Sequence, residues 1–283
     1  LTTLYFAREL GAEVLGVYSL VLTAVAWIVL FADLGIGQAL IKRISEGNEQ
    51  GSYLSAALIS VLLLATTLSI VVVAGRQVVE SYIGEFSQYV AFSPVWFVIA
   101  LIFAKLFFRT MIRVLKGERK VYIAGLLAPL KTGSQSLFQL GFVVAGLGLF
   151  GMLVGAFTGA IIIGIIGLIW VTVRPARPAK RHFRSLVNYA KFSWLGNLQS
   201  RAFNEVDILL LGVFVQSSVV GVYSVVWSLA KFLDLFGTAI RSTLFPELSY
   251  TSAQESDQAT VGLIEDSLAY TGLIATPGLV GGL

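Results

Sequence analysis

A succession of long apolar runs, joined by short polar loops, limits this chain to a narrow set of folds. Crossing the hydrocarbon core of a bilayer takes about 20 mostly apolar residues in helical form, because lipid offers no partner to a bare backbone amide. Runs of that kind are predicted at roughly 15–37, 53–74, 91–112, 122–145, 150–173, 188–213 and 219–244, with a further one opening near 262. The end of a preceding helix is expected before Arg8. Composition agrees. The chain is 57% hydrophobic and 13% charged, with a mean hydropathy of +0.84, whereas soluble domains carry about 25% charged residues. The expected class is an all-α, multi-pass integral membrane protein with no extramembrane domain. The opening LTTLYFAREL reads as the exit of a helix already under way, and the last stretch stops inside an apolar run. The sequence is therefore expected to be a piece of a longer chain, and no signal peptide is judged from it.

Basic residues are distributed unevenly over the loops. One alternating set holds IKRISEGNEQ, RVLKGERK and RPARPAKRHFR; the other holds Arg8, Arg76 and the uncharged GLGLFG and VQSSVV. Basic loops stay on the cytoplasmic side, so the loops near 42–50, 113–120 and 174–184 are expected in the cytoplasm, in the cell membrane. The longest of them, around 173–185, carries paired prolines that stop a helix and favour an extended linker. The expected division is a first transmembrane lobe at 1–173, a linker at 174–187 and the start of a second lobe at 188–283.

Several chemistries are excluded early. There is no cysteine, so no disulfide, thiolate metal site or thiol nucleophile is possible in these residues. The one histidine, His182, sits in a basic hydrophilic stretch, which removes histidine-clustered metal sites and makes a Ser-His-Asp triad implausible. No GxxxxGK[ST] loop is present to cradle ATP. No catalytic residue, metal or cofactor is expected, no nucleic-acid partner either, and the chain is read as a protein other than an enzyme.

An internal echo organises the rest. GVYS occurs at 16–19 and again at 221–224, each time opening an apolar run that goes inward from an external loop. Downstream lie an Asp and a Gly in both copies: Asp33 with Gly35, and Asp234 with Gly237. Repeats of parallel topology imply an axis along the membrane normal, with the binding site between the halves. Two lobes related by that axis are expected.

Charges inside spans are costly, about 2.5–3.5 kcal/mol each on insertion scales, so they face a cavity or a partner. Lys105, Arg109 and Arg113 follow at i, i+4 and i+8, on one helical face; Asn197, Arg201 and Glu205 repeat that spacing. Lys231, Asp234, Thr238 and Arg241 share a face in the next span, and Lys131 lies in a polar interruption after Pro129. Arg109, Arg113 and Arg241 are close enough to the inner surface to snorkel. Asp33, Glu205 and Asp234 are expected in structural charge pairs: Glu205 with Arg201, Asp234 with Lys231, and Asp33 with Lys42, Arg43 or a neighbouring helix. The cations left over suit an anionic guest, and a phosphate above all. Lys105, Arg109, Lys131, Arg201, Lys231 and Arg241 are the expected substrate-binding residues. Gly151, Gly155 and Gly159 read as a close helix-packing row.

ARELGAEVLGVYSL followed by FADLGIGQALIKRISEG, then FRTMIRVLKGERKVY and VNYAKFSWLGNLQSRAFNEVDILLLGVFVQSSVVGVYSVV, resembles the polysaccharide-biosynthesis flippases. These are the Wzx-type branch of the multidrug/oligosaccharidyl-lipid/polysaccharide exporter superfamily. The resemblance covers nearly the whole chain in order. It implies a fragment of a 12–14 span transporter whose two six-helix lobes are pseudo-twofold-related helical bundles around a central cavity. It also implies a substrate of lipid-phosphate- or lipid-diphosphate-linked oligosaccharide for surface polysaccharide or protein glycosylation. Membrane lipids, and glycan polymerase or glycosyltransferase partners, come with that implication. No substrate-binding motif of the family transfers by position. The competing readings are a multidrug exporter of the same superfamily, a membrane glycosyltransferase or polymerase on lipid-linked sugars, and a noncatalytic scaffold. An exporter relies on intramembrane carboxylates, and the deep acids here sit beside bases. An enzyme usually carries a large acidic external loop, and 75–90 offers only Glu80 and Glu85. A scaffold has no need of buried cations.

Overall fold

A computed structural model describes residues 2–84, 86–231 and the helical positions 269, 272 and 276. The described residues are helical, without a strand: α1 (Thr2–Asp33), α2 (Ile36–Ser45), α3 (Gln50–Ala74), α4 (Arg76–Ile83), α5 (Phe86–Tyr89), α6 (Pro94–Gly117), α7 (Val121–Val144), α8 (Gly148–Trp170) and α9 (Lys180–Phe214). Residues 217–222 are helical again. The chain divides into two units, Leu1–Val222 and Tyr223–Leu283. In the second, helical residues 223–231 stack Tyr223 on Trp227, with ring centroids 6.2 Å apart.

Four helices, α1, α3, α6 and α8, are long and apolar enough to span a bilayer. Helices α7 and α9 are as long but are not among them, because each carries a polar face: LKTGSQS in α7, and Lys191, Arg201, Glu205 and Asp207 in α9. Outer positions such as Leu63, Leu137 and Ile169 are 63%, 71% and 76% exposed, a surface suited to lipid rather than water. The segment read as an external loop at 75–90 is partly ordered into α4 and α5.

Local sequence explains the breaks. Gly11, at φ 84° and ψ 165°, interrupts α1 so that its first nine residues form a separate helical stretch. Ser93 caps α6 by accepting the Val95 N–H at 3.4 Å, with Pro94 in the first turn where its missing donor costs nothing. Between α1 and α2, Leu34 and Gly35 both take positive φ, at 41° and 79°. A side chain at 35 would lie 2.5 Å from the Ala190 carbonyl of α9, so glycine is required twice over.

The echo has a structural counterpart. A Cβ on Gly16 would lie 1.7 Å from the Ser217 carbonyl oxygen and 3.0 Å from the Gly221 nitrogen. A Cβ on Gly221 would lie 1.7 Å from the Ala12 carbonyl oxygen and 2.9 Å from the Gly16 nitrogen. Each glycine thus meets the carbonyl four residues before its counterpart. The contact is reciprocal, the relation an isologous interface has.

The basic end is pinned. Residues 171–179 are extended, and α9 already begins at Lys180, inside the stretch read as linker. The Gly51 carbonyl accepts Ala176 N–H at 3.1 Å, and Ser52 Oγ donates to the Arg177 carbonyl at 3.1 Å. Glu118 accepts the Thr172 and Val173 amides at 2.8 and 2.7 Å. Burial works against its charge, yet Lys120 and those amides outweigh it and hold the carboxyl below its usual range. His182 Nδ1 accepts the Ala179 N–H at 2.8 Å, which leaves the proton on Nε2, 3.0 Å from Glu49; Arg181 pairs with the same carboxylate.

Candidate functional site

The site is built on α6. Its Lys105, Arg109 and Arg113 are all half-buried on one face, as the i, i+4, i+8 spacing requires. Their fates differ. Arg113 closes a two-pronged ion pair on Asp33 of α1, Nη1 to Oδ1 at 2.5 Å and Nη2 to Oδ2 at 2.8 Å. Asp33 is 2% exposed and also accepts the Gly37 N–H at 3.3 Å, which caps the start of α2. A side chain at Gly37 would collide with the guanidinium at 2.0 Å. Asp33 therefore pairs across helices, and not with Lys42 or Arg43: Lys42 lies over the Tyr189 ring and Arg43 bonds Glu46 at 2.7 Å. Nor is Arg113 free to snorkel.

Lys105 and Arg109 form no ion pair among the described residues. Lys105 is repelled by Lys131, Arg109 and Arg201 and attracted by Glu205; Arg109 is repelled by Arg113 and Arg201 and attracted by Asp33 and Glu205. The fold therefore brings Lys105, Arg109, Lys131 and Arg201 of three different helices into one electrostatic group. Glu205 sits among them and bonds Arg201 one turn away through Oε1, while its Oε2 is buried without a hydrogen-bond partner. Lys105, Arg109 and Arg201 all feel Glu205, an acid already engaged by Arg201, and Lys131 adds a fourth cation to the group. Such a group has a strong surplus of donors for an oxyanion.

Lys131 is held by a polar relay. Helix α7 continues through Pro129. Lys131 Nζ donates to Gln135 Oε1; Gln135 Nε2 donates to the Tyr18 hydroxyl at 3.2 Å. Gln139 Nε2 donates to the same hydroxyl at 2.6 Å and to the Met152 carbonyl at 2.9 Å. Three close approaches of α8 seat this face: Cβ atoms at Gly151, Gly155 and Gly159 would lie 2.8, 2.6 and 2.8 Å from Phe142, Gln139 and Gln135. The glycine row thus presses the two glutamines inward. Sequence reasoning missed Tyr18, Gln135 and Gln139, although glutamines at i+4 and i+8 from Lys131 in an apolar helix were a usable signal.

Lys231 is exposed within the second unit, its Nζ over the Trp227 ring at 5.3 Å. Asp234 and Arg241 lie outside the described residues. No group of His, Cys, Asp and Glu among the described residues is arranged to hold a metal ion.

A family model described as polysaccharide biosynthesis protein matches residues 1–252. The chain belongs to this family. Two Haloferax volcanii proteins of similar sequence are named a probable flippase, AglR, and a probable low-salt glycan biosynthesis flippase, Agl15. Each is 30% identical over 281 residues, covering 99% and 98% of this chain. The chain spans 57% of the length of each relative. No solved structure matches. As a member of the polysaccharide biosynthesis family, the chain carries its surplus of charge on α6, α7 and α9, inside an otherwise apolar bundle.

Proposed function

We propose that this chain is part of a flippase that carries a lipid-(di)phosphate-linked oligosaccharide across the cytoplasmic membrane, for surface polysaccharide or glycoprotein assembly. The observation that carries the reading is the group Lys105, Arg109, Lys131 and Arg201, four cations gathered inside a lipid-facing bundle around one paired acid. The phosphate must leave the headgroup region and cross a medium that penalises charge. Fixed cations lower that barrier by offering charge-assisted hydrogen bonds in place of water, while the lipid tail stays in the bilayer.

In this reading residues 1–173 and 188–283 belong to two lobes, with Lys231 and Arg241 contributing from the second. The reciprocal contact of Gly16 and Gly221 supports a twofold relation. The loops near 42–50, 113–120 and 174–184 face the cytoplasm, and glycan polymerases or glycosyltransferases take up the product. Transport needs no chemical step on the sugar, so no catalytic group is required.

The test uses the complete protein in proteoliposomes, with flipping of a lipid-linked oligosaccharide followed by accessibility to an external lectin. Lys131→Ala or Arg201→Ala should remove about 1.5–3 kcal/mol of transition-state stabilisation, about ten- to a hundredfold in rate. Insertion and elution should stay normal, and Arg201→Lys should keep partial function. Normal flipping by both Ala variants would refute the cationic pathway.

A further inference from the structure

A groove of about 570 Å³ opens between the α1–α2 junction, α3 and α9. Its walls are apolar, among them Leu34 and Ile36 at the junction, Ile59 and Leu63 of α3, and Val187 of α9; Lys191 is the only charged residue lining it. Ile59, Leu63 and Val187 are 47%, 63% and 57% exposed. The walls therefore face outward, on the side of the bundle that carries the basic loops.

Charge is arranged on one wall only. Along α9, Arg184 and Lys191 are exposed and stand three residues before and four residues after Val187, on the same helical face. Neither forms an ion pair among the described residues. Lys191 Nζ rests 5.0 Å from the Phe192 ring centroid, an aromatic face that a stronger anion easily replaces. An apolar trough with one cation, Lys191, on its wall and a second, Arg184, beside the lining residue Phe183 on the same helix is complementary to an amphiphile with a long tail and an anionic head.

Position adds to the argument. Leu34 and Ile36 come from the same turn whose Asp33 and Gly37 hold Arg113. Arg113 is one turn of α6 from Arg109, the nearest member of the cation group. A head held at the groove is thus separated from that group by the thickness of the α1–α2 junction.

We propose that this groove binds the lipid-phosphate end of the substrate, tail along Ile59, Leu63 and Val187 and phosphate against Lys191 and Arg184, before the head enters the bundle. The proposal rests on the reading that the guest is a lipid-linked phosphate. It makes the groove a docking site for the carrier and not only a seat for bulk lipid.

The probe is a single-chain alkyl phosphate with a diazirine in its tail, photolysed with the complete protein in nanodiscs of neutral lipid. Labelled residues are mapped by mass spectrometry. Labels should fall on α3 and α9 in the groove. The double variant Lys191→Ala/Arg184→Ala should lower labelling about a hundredfold, the loss of two charge-assisted bonds. Lys191→Arg should restore part of it, and Leu63→Trp should block it without changing elution. Equal labelling by the matching uncharged alcohol, full competition by phosphatidylglycerol, or no groove labelling because another part of the chain covers it would each overturn the proposal. Lys131→Ala separates this from the transport reading. It should slow flipping about ten- to a hundredfold and leave groove labelling intact, whereas normal flipping by both Lys131→Ala and Arg201→Ala with intact labelling would sink the cation pathway alone.

Discussion

Two ends of one helical face invite comparison. Arg113, at the end of α6, has both guanidinium prongs on a buried carboxylate that also caps a neighbouring helix. Lys105, two turns back on the same face, feels three other cations and a single acid, Glu205, that Arg201 already holds. The same spacing rule placed both residues, yet one is satisfied and the other is not. A satisfied buried charge holds the fold in place. An unsatisfied one, kept at a cost in an apolar bundle, is available to a guest.

Removing a partner should expose the difference most sharply at the satisfied end. Asp33→Ala leaves Arg113 uncompensated and uncaps α2, so a loss of about 3–5 kcal/mol of stability is expected. Arg113→Met together with Asp33→Ala should cost clearly less than the two single changes added, as a thermal-unfolding double-mutant cycle would report. Lys105→Met, in contrast, should leave the unfolding temperature unchanged or raised, because it relieves repulsion. Equal destabilisation by Asp33→Ala and Lys105→Met would erase the distinction.

The relay sharpens the comparison at intermediate size. Tyr18→Phe removes the hydroxyl that both Gln135 and Gln139 donate to. Stability should fall by about 1–3 kcal/mol, the penalty of unsatisfied buried donors. If Tyr18 also positions Lys131, the apparent affinity for the lipid-linked substrate should weaken while the maximal flipping rate changes little. A change confined to stability would make the relay structural only.

The smallest effect belongs to the pinned linker. The hydrogen bond with His182 above all, and the Arg181 pair, hold the Glu49 carboxyl below its usual range. A depressed folded value means the tie is fully present above the ordinary carboxylate pKa and is lost as pH falls through the depressed one. Trypsin cleavage after Lys180, the exposed basic residue at the end of the linker, should therefore quicken modestly at pH 7.5 in Glu49→Gln. Wild type exposed briefly to acid and returned to pH 7.5 should cut slowly again. No acceleration in Glu49→Gln would show that the backbone contacts alone fix the linker.

Much of the fold could be read from residue order because lipid leaves few options. Apolar run length gave the helices, and α3, α6, α7 and α8 fall within a few residues of the runs read from hydropathy, although α7 and α9 prove too polar to count among the candidate spans. Local periodicity gave the charged face of α6, the Arg201–Glu205 pair and the glycine row. What stayed hidden depends on contacts between distant segments. Asp33 and Arg113 are 80 positions apart, and nothing local distinguishes Arg113 from Arg109. Tyr18 meets Gln135 and Gln139 across more than 100 residues. The echo marked Gly16 and Gly221 as related, but only the packing reveals that they touch.

The central claim is that Lys105 and its neighbours meet the phosphate while Arg113 does not. These 283 residues contain no cysteine, so a single introduced thiol reports its own surroundings once any cysteine elsewhere in the complete protein is replaced. Lys105→Cys and Arg113→Cys would be reacted with a small charged methanethiosulfonate, with and without a saturating lipid-linked oligosaccharide. The account predicts that substrate protects position 105 strongly and position 113 little. Protection of 113 equal to or greater than that of 105, or no protection at 105, would contradict it.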